Sequence, residues 1–174
     1  LPSARWALVG AVVPVLPMFG FSLWQRGVVG LPEAQIWGEA YFRANWQLLF
    51  DCFNSLPAAV LGLALASCAN PRVRSAAQMF FGAVILHIAL DFPLHHDDAH
   101  RHFLPLSRWR FESPVSYWDP AHAGALGAAI EVACVLGSLA ILWRRFEGRF
   151  VRATLIGLSG LSVIAYSYFY GLRG

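Results

Sequence analysis

Ala76-Ala-Gln-Met-Phe-Phe-Gly-Ala-Val-Ile-Leu-His87-Ile-Ala-Leu-Asp91-Phe-Pro-Leu94 decides the fold class. It is apolar over the length a helix needs to cross the hydrocarbon core, about 20 residues. Its ionisable groups, His87 and Asp91, both fall in its second half. Four other segments share this character: Trp6 to Trp24, Leu48 to Ser67, Ala121 to Trp143 and Phe150 to Leu172. Together they predict an all-α integral membrane protein, one domain over residues 1–174, with about five transmembrane helices, one interfacial segment and a structured extramembrane loop at 95–120.

Composition agrees. The chain is 57% hydrophobic and only 13% charged, with a mean hydropathy of +0.53, too apolar for an ordinary soluble domain. All 13 basic side chains are Arg, the formal net charge is only +3, and no basic stripe interleaves with stacking aromatics, which excludes a nucleic-acid partner. Membrane lipids are the expected partners. Cys52, Cys68 and Cys134 form no CxxC pair, so small buried hydrophobes are their expected role. Leu1-Pro2-Ser3 carries no initiator Met and runs almost directly into the first span, which suggests a processed or incompletely represented N-terminus.

Pro14 and Pro17 remove backbone donors from the first span and predict a bent helix. Pro32 to Trp46 mixes charged residues with Ile36, Trp37, Tyr41, Phe42 and Trp46, which suits either a short interfacial helix or an ordered loop. Gly124/Ala128, Ala133/Gly137 and Ala153/Gly157 would let the last two helices approach others closely. Five spans put Arg5, Arg72, Arg74, Arg144, Arg145, Arg149 and Arg152 on one side, cytoplasmic by the positive-inside rule. The loop at 95–120 is then non-cytoplasmic.

The stretch from His87 to His102, His87-Ile-Ala-Leu-Asp91-Phe-Pro-Leu-His95-His96-Asp97-Asp98-Ala-His100-Arg101-His102, holds five of the chain's 6 histidines. His87 and Asp91 are four apart and share a helix face, where imidazole and carboxylate can bind one ion. His95 extends the stripe if the helix persists beyond Pro93. Neutral imidazole and carboxylate suit zinc, manganese or iron, and no thiolate competes. The alternatives are a solvated interfacial loop with His87 hydrogen-bonded to Asp91 and no ion, or a proton-conducting role. Asp51, Asn54, His87 and Glu131 lie roughly 5 to 15 Å into their spans at the helical rise per residue, so one water-accessible cavity could collect them. His122 and Glu131 fall on opposite helix faces.

Phe103 to Phe111 and Glu112 to His122 are rich in prolines and aromatics, which predicts a structured lid. Arg101, Arg108 and Arg110 either pair with Asp97, Asp98, Glu112 and Asp119 or form a bidentate clamp for phosphate or lipid head groups.

At these residues the chain resembles the YdjM-like family of membrane-bound, metal-dependent hydrolases. The resemblance lies in His87-xxx-Asp91 closing an apolar helix, in His95, in Pro105 to Phe111, and in Gly10-Ala-Val-Val-Pro-Val-Leu-Pro17. It implies a divalent ion held by His87 and Asp91, with His95 or His96 as a further ligand or base, and hydrolysis of a phosphate- or lipid-containing substrate. The expected metal set is His87, Asp91 and His95; His96 and Asp97 are the expected catalytic acid–base groups, with zinc or manganese as the ion. A bacterial inner membrane is the expected location. Two positions depart from the family pattern: its Leu-Pro-Asp reads Val13-Pro14-Val15, and its early His falls before Leu1. Loss of that Asp points instead to a degenerate relative. The competing function is a non-catalytic accessory subunit of a photosynthetic or respiratory membrane complex, docked to other subunits or binding lipid or pigment through its aromatic-rich helices; a pigment or haem ligand at His87 is a third reading.

Overall fold

The computed structural model describes residues 4–116 and 119–171. Leu1 to Ser3, Tyr117 and Trp118 of the expected lid, and Leu172 at the expected end of the fifth span lie outside the described residues. Within them the chain is all-helical, without strands. Five helical stretches are long and apolar enough to cross a membrane: Arg5–Val29, Ala44–Ser67, Pro71–Leu94, Gly124–Arg145 and Arg149–Tyr166. The chain divides into two compact units, Leu1–Ser113 and Pro114–Gly174.

In the first unit, span 1 is built from α1 (Ala4–Val12), a 3₁₀ turn (Val13–Val15), α2 (Leu16–Trp24) and a π turn (Gln25–Val29). Pro14 and Pro17 each sit in the first turn of their segment, where a missing N–H costs least. The span therefore tightens into a 3₁₀ turn at Val13–Val15 without breaking. Gly30, at φ +76°, closes it in the left-handed conformation that glycine tolerates.

The segment after it forms α3 (Glu33–Gln35) and a π turn (Ile36–Ala40). Its apolar side is buried: Ile36, Ala40 and Tyr41 pack with Phe21 and Phe50. Phe21 stands edge-on to Trp37, Tyr41, Trp46 and Phe50, with ring centroids 5.0 to 6.1 Å away, the geometry that aromatic quadrupoles favour.

Span 2 is two helices, α4 (Ala44–Phe53) and α5 (Leu56–Ser67), interrupted at Asn54 and Ser55. Pro57 lacks the N–H that would continue the helix, and Ser55 Oγ caps the new start by accepting from Ala58 N at 3.2 Å. Span 3 is α6 (Pro71–Asp91) with a 3₁₀ turn, Phe92–Leu94; Asn70 caps it and Pro71 opens it.

α6 packs against both α1 and α5, and glycine sets both approaches. A Cβ at Gly10 would run into the Phe80 carbonyl, and one at Gly62 into the Phe81 ring. Close approach through small residues is how membrane helices gain packing energy. Gly10→Ala is accordingly expected to destabilise the first unit by about 1 to 3 kcal/mol through forced backbone displacement. Gly20→Ala, where a Cβ meets nothing within 4 Å, leaves the thermal midpoint in detergent unchanged; equal midpoints for the two variants would refute the packing argument.

The second unit contains a 3₁₀ turn (Pro120–His122), α7 (Gly124–Arg145), α8 (Arg149–Tyr166) and a π turn (Ser167–Gly171). Asp119 caps the first turn through Ala121 N at 2.8 Å and bonds His122 Nδ1 at 2.6 Å. A Cβ at Gly124 would press on the Asp119 carbonyl and the Tyr170 hydroxyl. Close approach through Gly137 and Gly157 is not what forms: a Cβ at either meets nothing within 4 Å among the described residues. The three cysteines also depart from expectation. All are free and exposed.

Candidate metal centre

The break in span 2 and the end of span 3 bring the ionisable side chains together. Asp91 lies in the last turn of α6, and the turn at Phe92–Leu94 ends the helix, so that His95 is extended at φ −124° and ψ 135°. His95 leaves the helical stripe, yet its ring returns to Asp91, with Nε2 3.0 Å from Oδ1. Its other nitrogen, Nδ1, meets Asp98 Oδ2 at 2.7 Å.

Residues 100–104 then run beside the break. Asp51, fully buried in α4, accepts from Arg101 N at 2.9 Å and Arg101 Nε at 2.5 Å. His100 Nδ1 is 3.4 Å from the same carboxylate, longer than an aligned hydrogen bond. His102 donates from Nδ1 to Asn54 O at 3.1 Å, and its own carbonyl accepts from Leu56 N at 2.8 Å. Ser55 Oγ donates to Leu104 O at 2.5 Å. The backbone groups released by the break are thus taken up by the loop, the condition for irregular backbone at membrane depth.

Ser113 fastens the far end of the loop, donating from N to His95 O at 2.8 Å and from Oγ to Pro93 O at 2.6 Å. Phe92 stacks on Phe111 at 5.0 Å and touches Phe103 and Trp109.

Asp91, His95 and His100 form a group that could hold a metal ion: one ligand atom from each lies within 4.8 Å of the others. The donors fit a divalent ion, two imidazoles and one carboxylate. His95 also has a carboxylate behind it, Asp98, the support that fixes tautomer and orientation in metal sites. Two polar atoms here, Asp98 Oδ1 and His100 Nδ1, are buried without a hydrogen-bond partner, a costly state that a bound ion and its water can relieve.

Burial opposes charge on His95, but its bonds to Asp91 and Asp98 outweigh burial and hold its pKa up at about 10. An ion seated there displaces that proton, so uptake releases acid. His102 shifts down, because burial outweighs the hydrogen bond to the Asn54 carbonyl. Tyr41 is pushed far up, first by burial and then by the Asp98, Asp91 and Asp51 carboxylates. Its phenol therefore keeps its proton beside the acidic group.

Of the residues read from the sequence, Asp91 and His95 come together. His87 sits one turn earlier on α6 and outside the group. His96 turns away and donates from Nδ1 to Ser113 O at 2.7 Å. Asp97 is exposed. Sequence reasoning did not single out His100, Asp98 and Tyr41 for this site; the Asn54-Ser55-Leu56-Pro57 run was the available signal, since a capping Ser followed by Pro marks a helix start inside an apolar stretch.

Among the described residues no loop arginine forms an ion pair with a loop acid, the first of the two alternatives read from the sequence. Arg101 pairs with Asp51, while Asp98 and Asp119 bond His95 and His122. Comparison with family models, curated proteins and solved structures returns no match for this chain.

Proposed function

We propose that this chain is a membrane-embedded, divalent-metal-dependent hydrolase that holds its ion with Asp91, His95 and His100. The observation that carries the reading is the convergence of these three donors, from α6 and the loop, within 4.8 Å. Zinc fits best, since two imidazoles and one carboxylate leave a coordination position open for water; manganese is the second choice. Such an ion, when bound, polarises an oxygen and lowers the pKa of water.

The protein's own groups supply the rest. Asp98 holds the His95 ring through Nδ1, and Asp51 lies 3.4 Å from His100 Nδ1. Arg5, Arg72 and Arg74, at the opposite ends of the first three spans, support a non-cytoplasmic location for the site. Membership of the YdjM-like family belongs to the same proposal.

The test is metal content by elemental mass spectrometry on detergent-purified protein, with hydrolysis of model phosphate and carboxylate esters before and after chelation. Near-stoichiometric ion, with ester hydrolysis lost to chelator and restored by zinc or manganese, is the expected result. Protein that takes up no ion overturns the proposal and leaves the accessory-subunit reading.

A further inference from the structure

Residues 104–110 read Leu104-Pro-Leu-Ser-Arg108-Trp-Arg110 and form a built turn. Ser107 N donates to Phe103 O at 2.9 Å, Leu104 N to Arg101 O at 3.1 Å, and Trp109 N to Ser107 Oγ at 3.1 Å. At its tip Leu106 is 81% exposed and Trp109 54% exposed. Water-facing loops seldom hold a large aliphatic residue and a Trp outward from a hydrogen-bonded turn.

Position matters as much as composition. Trp109 lies 6.4 Å from Phe92 and 5.7 Å from Phe103, ring centroid to centroid. Phe92 belongs to the last turn of span 3, so Trp109 lies at the level where a span meets the head groups. Trp and Arg concentrate at that level.

Charge completes the argument. Among the described residues Arg108 and Arg110 make no ion pair, and Glu112, the nearest acid in sequence, is exposed and bonds neither. Two uncompensated guanidiniums, one on either side of an exposed Trp in the sequence, match a phosphate group above acyl chains, since guanidinium binds phosphate oxygens in bidentate fashion.

We infer that Leu106, Arg108, Trp109 and Arg110 form a docking surface for the head group and upper acyl chain of an anionic phospholipid. Arg108 and Arg110 hold the phosphate, and Leu106 and Trp109 enter the hydrocarbon edge. The inference stands without a metal ion, because none of these residues touches the Asp91, His95 and His100 group.

The experiment is native mass spectrometry of the full chain in detergent, titrated with phosphatidylglycerol or phosphatidylcholine. Wild type is expected to retain phosphatidylglycerol preferentially, and R108Q/R110Q to bind it about thirty-fold more weakly, from two surface charges. L106Q is expected to weaken both lipids alike. R144Q/R145Q, in the second unit, serves as the control and keeps the preference.

All five positions tested in the loop and control are exposed or half-buried, so the fold is not at risk. Equal binding of the two lipids by wild type overturns the inference, as does an unchanged preference in R108Q/R110Q. Loss of a dimer mass in that variant overturns it in favour of a second copy, and competition by millimolar inorganic phosphate alone overturns it in favour of a free anion.

Discussion

Asp51→Ala is expected to lower the unfolding free energy by about 3 to 5 kcal/mol, the loss found when one partner of a buried charge pair is removed. Asp51 is fully buried, and Arg101 beside it is only 22% exposed at its side chain. The substitution leaves the guanidinium without its counter-charge and deprives Arg101 N of its acceptor. Arg101→Met in the same chain removes the stranded charge with a side chain of similar length, so the double variant should regain most of the loss. A deficit of about 1 kcal/mol remains from the orphaned backbone N–H. Urea or thermal unfolding in mild detergent reads both quantities. A single variant as stable as wild type, or a double variant no better than the single, would show that the pair does not hold the loop to span 2.

Asp91→Ala is expected to abolish ion binding, reducing metal from near one per chain to background. The carboxylate is both a donor in the group and the partner of His95 Nε2; without it two imidazoles alone remain. His87→Ala and Asp97→Ala should keep bound metal within a few-fold of wild type, because neither residue belongs to the group. Asp98→Ala falls between, about 10- to 100-fold weaker, as expected for a carboxylate acting through a ligand. Chelator competition measures the series. A His87→Ala loss as complete as that of Asp91→Ala would favour the sequence-derived trio over the observed grouping.

How much of this was legible depends on the range of the interactions involved. Span existence follows from a local property, apolar length, and all five spans appear close to where hydropathy puts them. The 3₁₀ turn at Pro14 is equally local. Asp91 and His95 were readable because ionisable residues concentrate at the end of the third span, not from helical spacing, since the helix ends before His95. His100 was not: its position follows from Asp51, some 50 residues earlier in the chain, and no periodicity in an irregular loop encodes such a contact. The interruption at Asn54 and Ser55 hid for a different reason, since hydropathy averaged over a whole span conceals a two-residue gap. Exposure of the cysteines was misjudged because in a bilayer an apolar side chain loses nothing by facing lipid.

The loop's hold on the second span also sets an order of events during synthesis. Asn54, Ser55 and Leu56 emerge from the ribosome well before His102 and Leu104, which supply their partners. Until those residues arrive, the growing chain carries unpaired peptide groups in the middle of a segment bound for hydrocarbon, each costing several kcal/mol there. Early in biogenesis the second span must therefore remain near water or borrow partners from the insertion machinery. It settles fully only when the chain beyond the third span has folded back upon it.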